Sequence, residues 1–356
     1  MKTAHILVIR FSAMGDVAMV VPVVWSLARR YPDLRITVLS RTFARPLFEH
    51  LAPNVNFMEA DLKREYHGLN GLNALYRRLA AKQFTAIADL HSVLRSEYLR
   101  VRFNLGHYRV AHINKHRSGR RRITSAHNKR LIQQPTSFQN YADVFNKLGY
   151  PVEIDFHSVF ANQPDGRGPL SQLPESISSL VTGSSASDQF IGIAPFAAHL
   201  GKTYPPELME QVIDLLIARH PQGRLFLFGR GAQEEEYFTR WCNKYPQCVN
   251  VSTHLHSLME ELILMSHLHV MLSMDSSNMH LASLTATPVV SIWGATHPYA
   301  GFMGWGQSTD YALQVELDCR PCSIFGQKPC RRGDYACMTQ IAPDAIVNKI
   351  EHLLPI

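Results

Sequence analysis

The 356-residue sequence has no apolar run approaching the roughly 20 residues that a membrane-spanning helix needs. No small-residue cleavage site follows its opening, MKTAHILVIRF, where a short apolar stretch meets Arg10 at once. That opening is expected to be a first β-strand and not a signal peptide, so the expected setting is cytoplasmic. RRM, KH, zinc-finger and helix-turn-helix signatures are missing, which argues against nucleic acid as a partner. GxGxxG is also missing, which excludes a dinucleotide fingerprint. Cys319, Cys322, Cys330 and Cys337 cluster near the end, but only one CxxC occurs there, whereas a zinc knuckle pairs two. Disulfides are disfavoured in the cytoplasm. Ordinary buried or free thiols are therefore expected, with no metal and no cofactor.

Acidic residues are absent from Tyr98 to Ala142, a stretch holding Arg100, Arg102, Arg109, Lys115, Arg117, Arg120, Arg121, Arg122, Lys129 and Arg130. This sits in a chain of formal charge +7 and pI near 9.1. A solvated basic loop is one reading. The other is a surface for phosphate groups on a glycan or on lipid headgroups.

With 46% hydrophobic and 18% charged residues the composition is that of an ordinary folded protein. The length exceeds what one core usually organises, so two domains are expected. Strand and helix patterns alternate twice. His5–Phe11, Arg35–Ser40, Val55–Met58 and Phe84–Asp89 read as strands. Between and after them Val17–Arg30, Ala44–Leu51, Leu69–Lys82 and Phe138–Leu148 have helical periodicity. A Pro-, Gly- and Ser-rich stretch at about 162–188 reads as a linker. The alternation then restarts, with strands at Phe190–Ala194, Arg224–Phe228, Val249–Val251, Leu268–Leu272 and Pro288–Trp293. Its helices are expected at Pro206–Arg219, Glu234–Tyr245, Leu255–Met265 and Ser277–Thr285. Two doubly wound α/β domains with parallel sheets follow, facing a cleft at their strand C-termini.

Three loops at those C-termini carry candidate chemistry. Gly15 and Asp16 lie between the first strand and its helix. Asp there is a common N-cap worth about 1 kcal/mol, or a general base for an acceptor hydroxyl. Asp275, Ser276 and Ser277 precede a helix holding His280. They read as caps, or as a helix start whose free N–H groups and positive dipole end receive a diphosphate. Lys202, after the strand Ile191–Ala194, is either solvated or a clamp on the same phosphates. In the GAQEEE loop, Gln233, Glu234 or Glu235 is a candidate ribose contact.

These stretches resemble glycosyltransferase family 9, the ADP-heptose:lipopolysaccharide heptosyltransferases. The resemblance rests on ILVIRFSAMGDV, AIADLHSVLRS, GKTYP, DSSNMHLASLTATPVVSIWGATHP and the tail CRPCSIFGQKPCRRGDYACM, in family order over nearly the whole chain. It implies a GT-B fold with an acceptor-binding domain at 1–165, a linker at 166–188 and a nucleotide-sugar domain at 189–356. It also implies metal-independent, inverting transfer of a sugar, with heptose from ADP-heptose as donor and a phosphorylated lipopolysaccharide inner core as acceptor. Peripheral contact with the inner face of the plasma membrane goes with that acceptor. Asp16 matches the base, and Lys202, Gln233 or Glu234, Asp275, Ser276, Ser277 and His280 match donor contacts. Gly15, His91, Arg95, Arg120 and Arg121 are the expected acceptor contacts. Two departures stand out: Ser276-Ser277 replaces a common Thr-Gly, and Tyr204 a common tryptophan. Rival readings are the same fold using another nucleotide-sugar for a different surface glycan, a nucleotide-sugar-binding protein without catalysis, or an epimerase acting on the donor alone.

Overall fold

In a computed structural model, which describes residues 4–182 and 188–355, the chain divides into two compact units. One comprises residues 1–115 and 135–156, the other 116–134 and 157–356.

The elements run β1 (His5–Ile9), α1 (Met14–Ala18), α2 (Val20–Arg30), β2 (Arg35–Ser40), α3 (Arg45–Phe48) and β3 (Val55–Glu59). Next come α4 (Gly68–Ala80), β4 (Ala86–Asp89), α5 (Leu94–Leu105), β5 (Arg109–His112), α6 (Arg117–Ile123) and α7 (Ser137–Lys147). After α8 (Glu175–Thr182) the alternation resumes with β6 (Phe190–Ala194), α9 (Pro206–Arg219), β7 (Arg224–Leu227), α10 (Ala232–Lys244) and β8 (Cys248–Asn250). It closes with α11 (Leu258–Ser266), β9 (Val270–Met274), α12 (Ser277–Leu284), β10 (Val289–Ile292), β11 (Ala312–Leu313), α13 (Ala336–Thr339) and α14 (Pro343–Glu351).

Both sheets are parallel. The first has the order β3-β2-β1-β4-β5, the second β11-β10-β9-β6-β7-β8. The central strands are apolar at every position because helices cover both faces: HILVI in β1 and FIGIA in β6 are buried throughout. Strand order reverses between β1 and β4 in the first sheet and between β6 and β9 in the second. Loops leaving two such strands diverge to opposite faces and open a crevice at their C-terminal ends. The crevice loops are therefore 10–16 and 90–94 in one unit, and 195–205 and 275–277 in the other.

Several expectations needed correction. The helix expected at Val17–Arg30 is two, parted at Met19. Pro22 has no N–H for the carbonyl of Ala18, and its ring crowds that oxygen. The Leu255–Met265 helix starts later, where Ser257 Oγ accepts the Glu260 N–H at 3.2 Å. Unit boundaries differ too. The first unit stops at residue 156 and not 165, because the following segment packs on the second. Val159 N–H donates to Leu284 O at 2.9 Å, and Gly168 N–H to Ser266 Oγ at 2.9 Å. The Pro-, Gly- and Ser-rich segment contains α8, which buries Ile177 and Val181 one turn apart, while 183–187 lies outside the described residues.

Candidate functional site

In the first unit, β1 is followed directly by Arg10, whose side chain is buried. Its Nε donates to Ser12 O at 2.9 Å and its Nη1 to Leu90 O at 2.7 Å. Nη2 lies 2.5 Å from Asp16 Oδ2. One guanidinium thus joins the loop after β1 to the loop after β4 and fixes the Asp16 carboxylate. Burial works against the charge on Arg10, but Tyr141 and Asp16 outweigh it and hold its pKa above the ordinary value. Asp16 also accepts from Ala13 N–H at 3.3 Å, so a helix-capping contact and the ion pair coexist. Tyr141 Oη, from α7, donates to Asp16 O at 3.2 Å. Gly15 sits beside it in the first turn of α1.

His91 is buried on the other side of this crevice. Phe11 N–H donates to its Nδ1 at 3.4 Å, which leaves the ring proton on Nε2. Burial, then the charges of Arg10 and Lys115, push its pKa down to about 3, so the ring is neutral at pH 7. Asp89 shapes the turn beneath it: fully buried, it accepts His91 N–H and Ser92 N–H on Oδ1, both at 2.9 Å. Its Oδ2 lies 3.6 Å from Arg100 Nη1. Arg95 is exposed in the first turn of α5.

Arg120 and Arg121 do not join this set. Their helix, α6, belongs to the second unit, where the Arg120 guanidinium lies 4.4 Å from the Phe302 ring. Lys129 Nζ donates to Asp318 O at 2.8 Å, and Gln134 N–H to Tyr299 O at 2.9 Å. The basic stretch is therefore shared between the two units, which periodicity alone does not reveal.

In the second unit, Lys202 Nζ, on a single 3-10 turn after β6, lies 3.2 Å from Asp275 Oδ2, just past β9. Both are largely buried. The chain around Gly326 crowds this turn. A Cβ on Gly201 would stand 2.9 Å from Gly326 O, and one on Gly326 only 2.4 Å from Lys202 Cγ. Glycine at both positions lets the lysine lie flat against the chain. The start of α12 is open: Ser276 is its N-cap residue, yet its side chain makes no capping bond. Ser276 Oγ instead lies 3.3 Å from Ser273 Oγ. The N–H groups of the first turn, beginning at Ser277, thus point from the sheet edge with a lysine ammonium nearby, an arrangement suited to a diphosphate. His280 is buried one turn further on.

The GAQEEE run is not a loop: Gly231 is the N-cap of α10, and the other residues form its first turns. Glu235 is engaged with Asn250 Nδ2 at 3.0 Å and Ser252 Oγ at 3.1 Å. Gln233 is exposed. Glu234 is half-buried; its Oε2 has no hydrogen-bond partner among the described residues, and burial raises its pKa. Tyr204 lies in the core of this unit, donating from Oη to Ile341 O at 2.7 Å. The thiols of Cys319, Cys322, Cys330 and Cys337 line one cavity of about 230 Å³. Among the described residues no group of three or more His, Cys, Asp or Glu is placed to hold a metal ion.

Arg10, Asp89 and Tyr141 were not anticipated. A charged residue closing an apolar strand, as in ILVIR and AIAD, is the signal that finds the first two. Tyr141 has no such local mark, since α7 is brought to Asp16 by packing alone.

Comparison with known proteins accords with this arrangement. Residues 72–331 match the family described as glycosyltransferase family 9 (heptosyltransferase). The lipopolysaccharide core heptosyltransferase OpsX of Haemophilus influenzae is 23% identical over 310 residues, 82% of this chain and 79% of that one. A glycosyltransferase family 9 structure from Veillonella parvula superposes with a TM-score of 0.71 at 17% identity, covering 99% of this chain and 98% of that one. Heptosyltransferase WaaC of E. coli, with ADP-2-deoxy-2-fluoro heptose, gives a TM-score of 0.67 at 15% identity over 98% and 99% of the two chains. The fold is GT-B. With nearly three quarters of its length matched, the chain belongs to glycosyltransferase family 9, the heptosyltransferase family, and is a glycosyltransferase.

Proposed function

We propose that this enzyme transfers heptose from ADP-heptose to a hydroxyl of a phosphorylated lipopolysaccharide inner core, with inversion at the anomeric carbon. The observation that carries the reading is the open start of α12 beside the Lys202–Asp275 pair, at the crevice of the second sheet. There Lys202 and the N–H groups from Ser277 onward stabilise charge on the departing diphosphate, the electrostatic role a metal plays elsewhere. Ser276 and His280 border the same donor, and Glu234 accepts a ribose hydroxyl. At the crevice of the first sheet, Asp16 takes the proton from the acceptor hydroxyl. Arg10 holds the carboxylate in place, and Gly15, His91 and Arg95 contact the acceptor sugar. Phosphates of the inner core and of the membrane surface meet basic side chains that the first unit contributes from residue 95 onward.

Incubation with ADP-heptose and a phosphorylated inner-core glycolipid, read by mass spectrometry, is expected to show addition of one heptose, and NMR an inverted anomeric centre. Transfer from UDP-sugars alone, or donor binding without product, would sink the proposal.

A further inference from the structure

The first sheet carries a polar patch on a face that its register assigns to the core. Side chains alternate between faces along a strand, and residues paired across parallel strands share a face. His5, Leu7 and Ile9 of β1 thus stand beside Arg35, Thr37 and Leu39 of β2. Thr37 and Leu39 stand in turn beside Asn56 and Met58 of β3. Leu7, Ile9, Leu39 and Met58 join Leu72, Leu75 and Leu79 of α4 in one core cluster. The N-terminal halves of the same strands present His5, Arg35, Thr37 and Asn56 instead. Both faces of a parallel sheet are ordinarily apolar, and a local departure from that rule is expected at functional positions.

These four residues line an open cavity of about 700 Å³, a size suited to a small molecule. His5 and Thr37 are buried in its floor, with His5 Nε2 2.8 Å from Thr37 Oγ1. Burial, then the charges of Arg35 and Lys82, push the His5 pKa down to about 4, so the ring is neutral at pH 7. The wall is cationic. Arg78, near the end of α4, donates from Nη1 to the buried Tyr66 Oη at 2.6 Å, which holds its guanidinium in place. Of the two carboxylates on the lining, Glu59 is paired with Arg45 at 3.2 Å. Against the other, Glu65, stand three cations: Arg35, Arg78 and Lys82. The patch lies at the strand ends opposite the Asp16 crevice, about 16 Å away along β1 at 3.3 Å per residue.

Three cations against one carboxylate match a phosphate dianion. A hydroxyl and a carboxamide, each able to donate and to accept, match the hydroxyls of a sugar. We propose that this cavity is a second ligand site, which takes a small sugar phosphate. The phosphate monoester sits among Arg35, Arg78 and Lys82, and the sugar hydroxyls meet Thr37 and Asn56. The site stands apart from the transfer chemistry and does not depend on the functional reading above.

The test is calorimetric titration of the full chain with glucose 6-phosphate, glucose and inorganic phosphate. Glucose 6-phosphate should bind at one site, glucose should not bind, and inorganic phosphate should bind at least fivefold more weakly. Arg35→Gln/Lys82→Gln should weaken glucose 6-phosphate at least tenfold, and Arg78→Gln at least fivefold. Asn56→Ala, at an exposed position, should weaken glucose 6-phosphate at least threefold and inorganic phosphate less than twofold. All these variants should keep the wild-type Tm within about 2 °C, the shift that a surface substitution of at most 0.5 kcal/mol gives. Saturating ADP should leave the glucose 6-phosphate affinity within twofold. No binding of glucose 6-phosphate, equal binding by the Arg35/Lys82 variant, or equal affinity for inorganic phosphate overturns the proposal. So does competition by ADP, which would assign the binding to the crevice of the second unit. Failure of ADP itself to bind would remove the functional reading and leave this site standing.

Discussion

Arg10 and Asp16 are held 2.5 Å apart at the edge of the first sheet, and the arginine is anchored by backbone carbonyls from two loops. The carboxylate is therefore held by an arginine fixed at the end of β1. If Asp16 is the base, Asp16→Asn should lower kcat by about 10²–10⁴-fold, the usual contribution of a positioned base. ADP affinity, measured by calorimetry, should change less than threefold. Turnover near wild type would remove the assignment.

Arg10→Lys keeps the charge and loses the fork that reaches Ser12, Leu90 and Asp16 together. We expect kcat to fall at least tenfold with the donor KM unchanged. A drop confined to the donor KM would place Arg10 on the donor side.

Lys202 and Asp275 are a largely buried pair, so removing one partner strands the other. Lys202→Ala should raise the ADP Kd at least tenfold and lower stability by about 3 kcal/mol, as for a broken buried pair. Asp275→Asn in the same chain should restore much of the stability, read by urea unfolding, and none of the ADP affinity.

Glu234 and Glu235 should separate cleanly. Glu234→Gln is expected to raise the donor KM at least fivefold with little change in Tm. Glu235→Ala gives up bonds to Asn250 and Ser252, which should cost about 1 kcal/mol of stability. Its donor KM should stay near wild type. The reverse pattern would move the ribose contact to Glu235.

His91 gives the acid limb of stability. Its pKa lies near 3 in the folded chain against 6.5 ordinarily, so below pH 6.5 the unfolded chain binds the extra proton first. Its contribution is complete above pH 6.5 and is lost progressively as pH falls toward 3. His5 and His297, both pushed down to about 4 chiefly by burial, act in the same direction. His91→Gln should flatten the fall in Tm between pH 6.5 and 4.5. An unchanged slope would mean His91 is not the buried neutral ring described.

The sheets were legible because a parallel strand buried on both faces is an unbroken apolar run, as HILVI and FIGIA are. The loops bearing Asp16, Lys202 and Asp275 followed from where those runs stop. Helix α5 was not legible, since exposed Leu94, Val101 and Leu105 beside buried Leu99 and Phe103 cancel the one-sided pattern by which helices are read. Strand β5, RVAH, is four residues at a sheet edge and mostly uncovered. Arg10 and Asp89 escaped notice because each reads as the end of a strand, and Arg10 finds its Leu90 partner 80 positions away. The destination of 116–134 was hidden for a stronger reason: its partners, Tyr299, Phe302 and Asp318, lie in another part of the chain.

That last arrangement sets an order of events during synthesis. Lys129 waits for Asp318, 189 residues later, before its hydrogen bond can form. At about 5–20 residues per second the delay is roughly 10–40 s. The first unit's segments are all made by residue 156, so its sheet can close around β1 while the cationic loop between its two segments is still unpacked. For that interval the nascent chain carries a bare positive loop out of an already formed body, and the last third of the polypeptide supplies its cover.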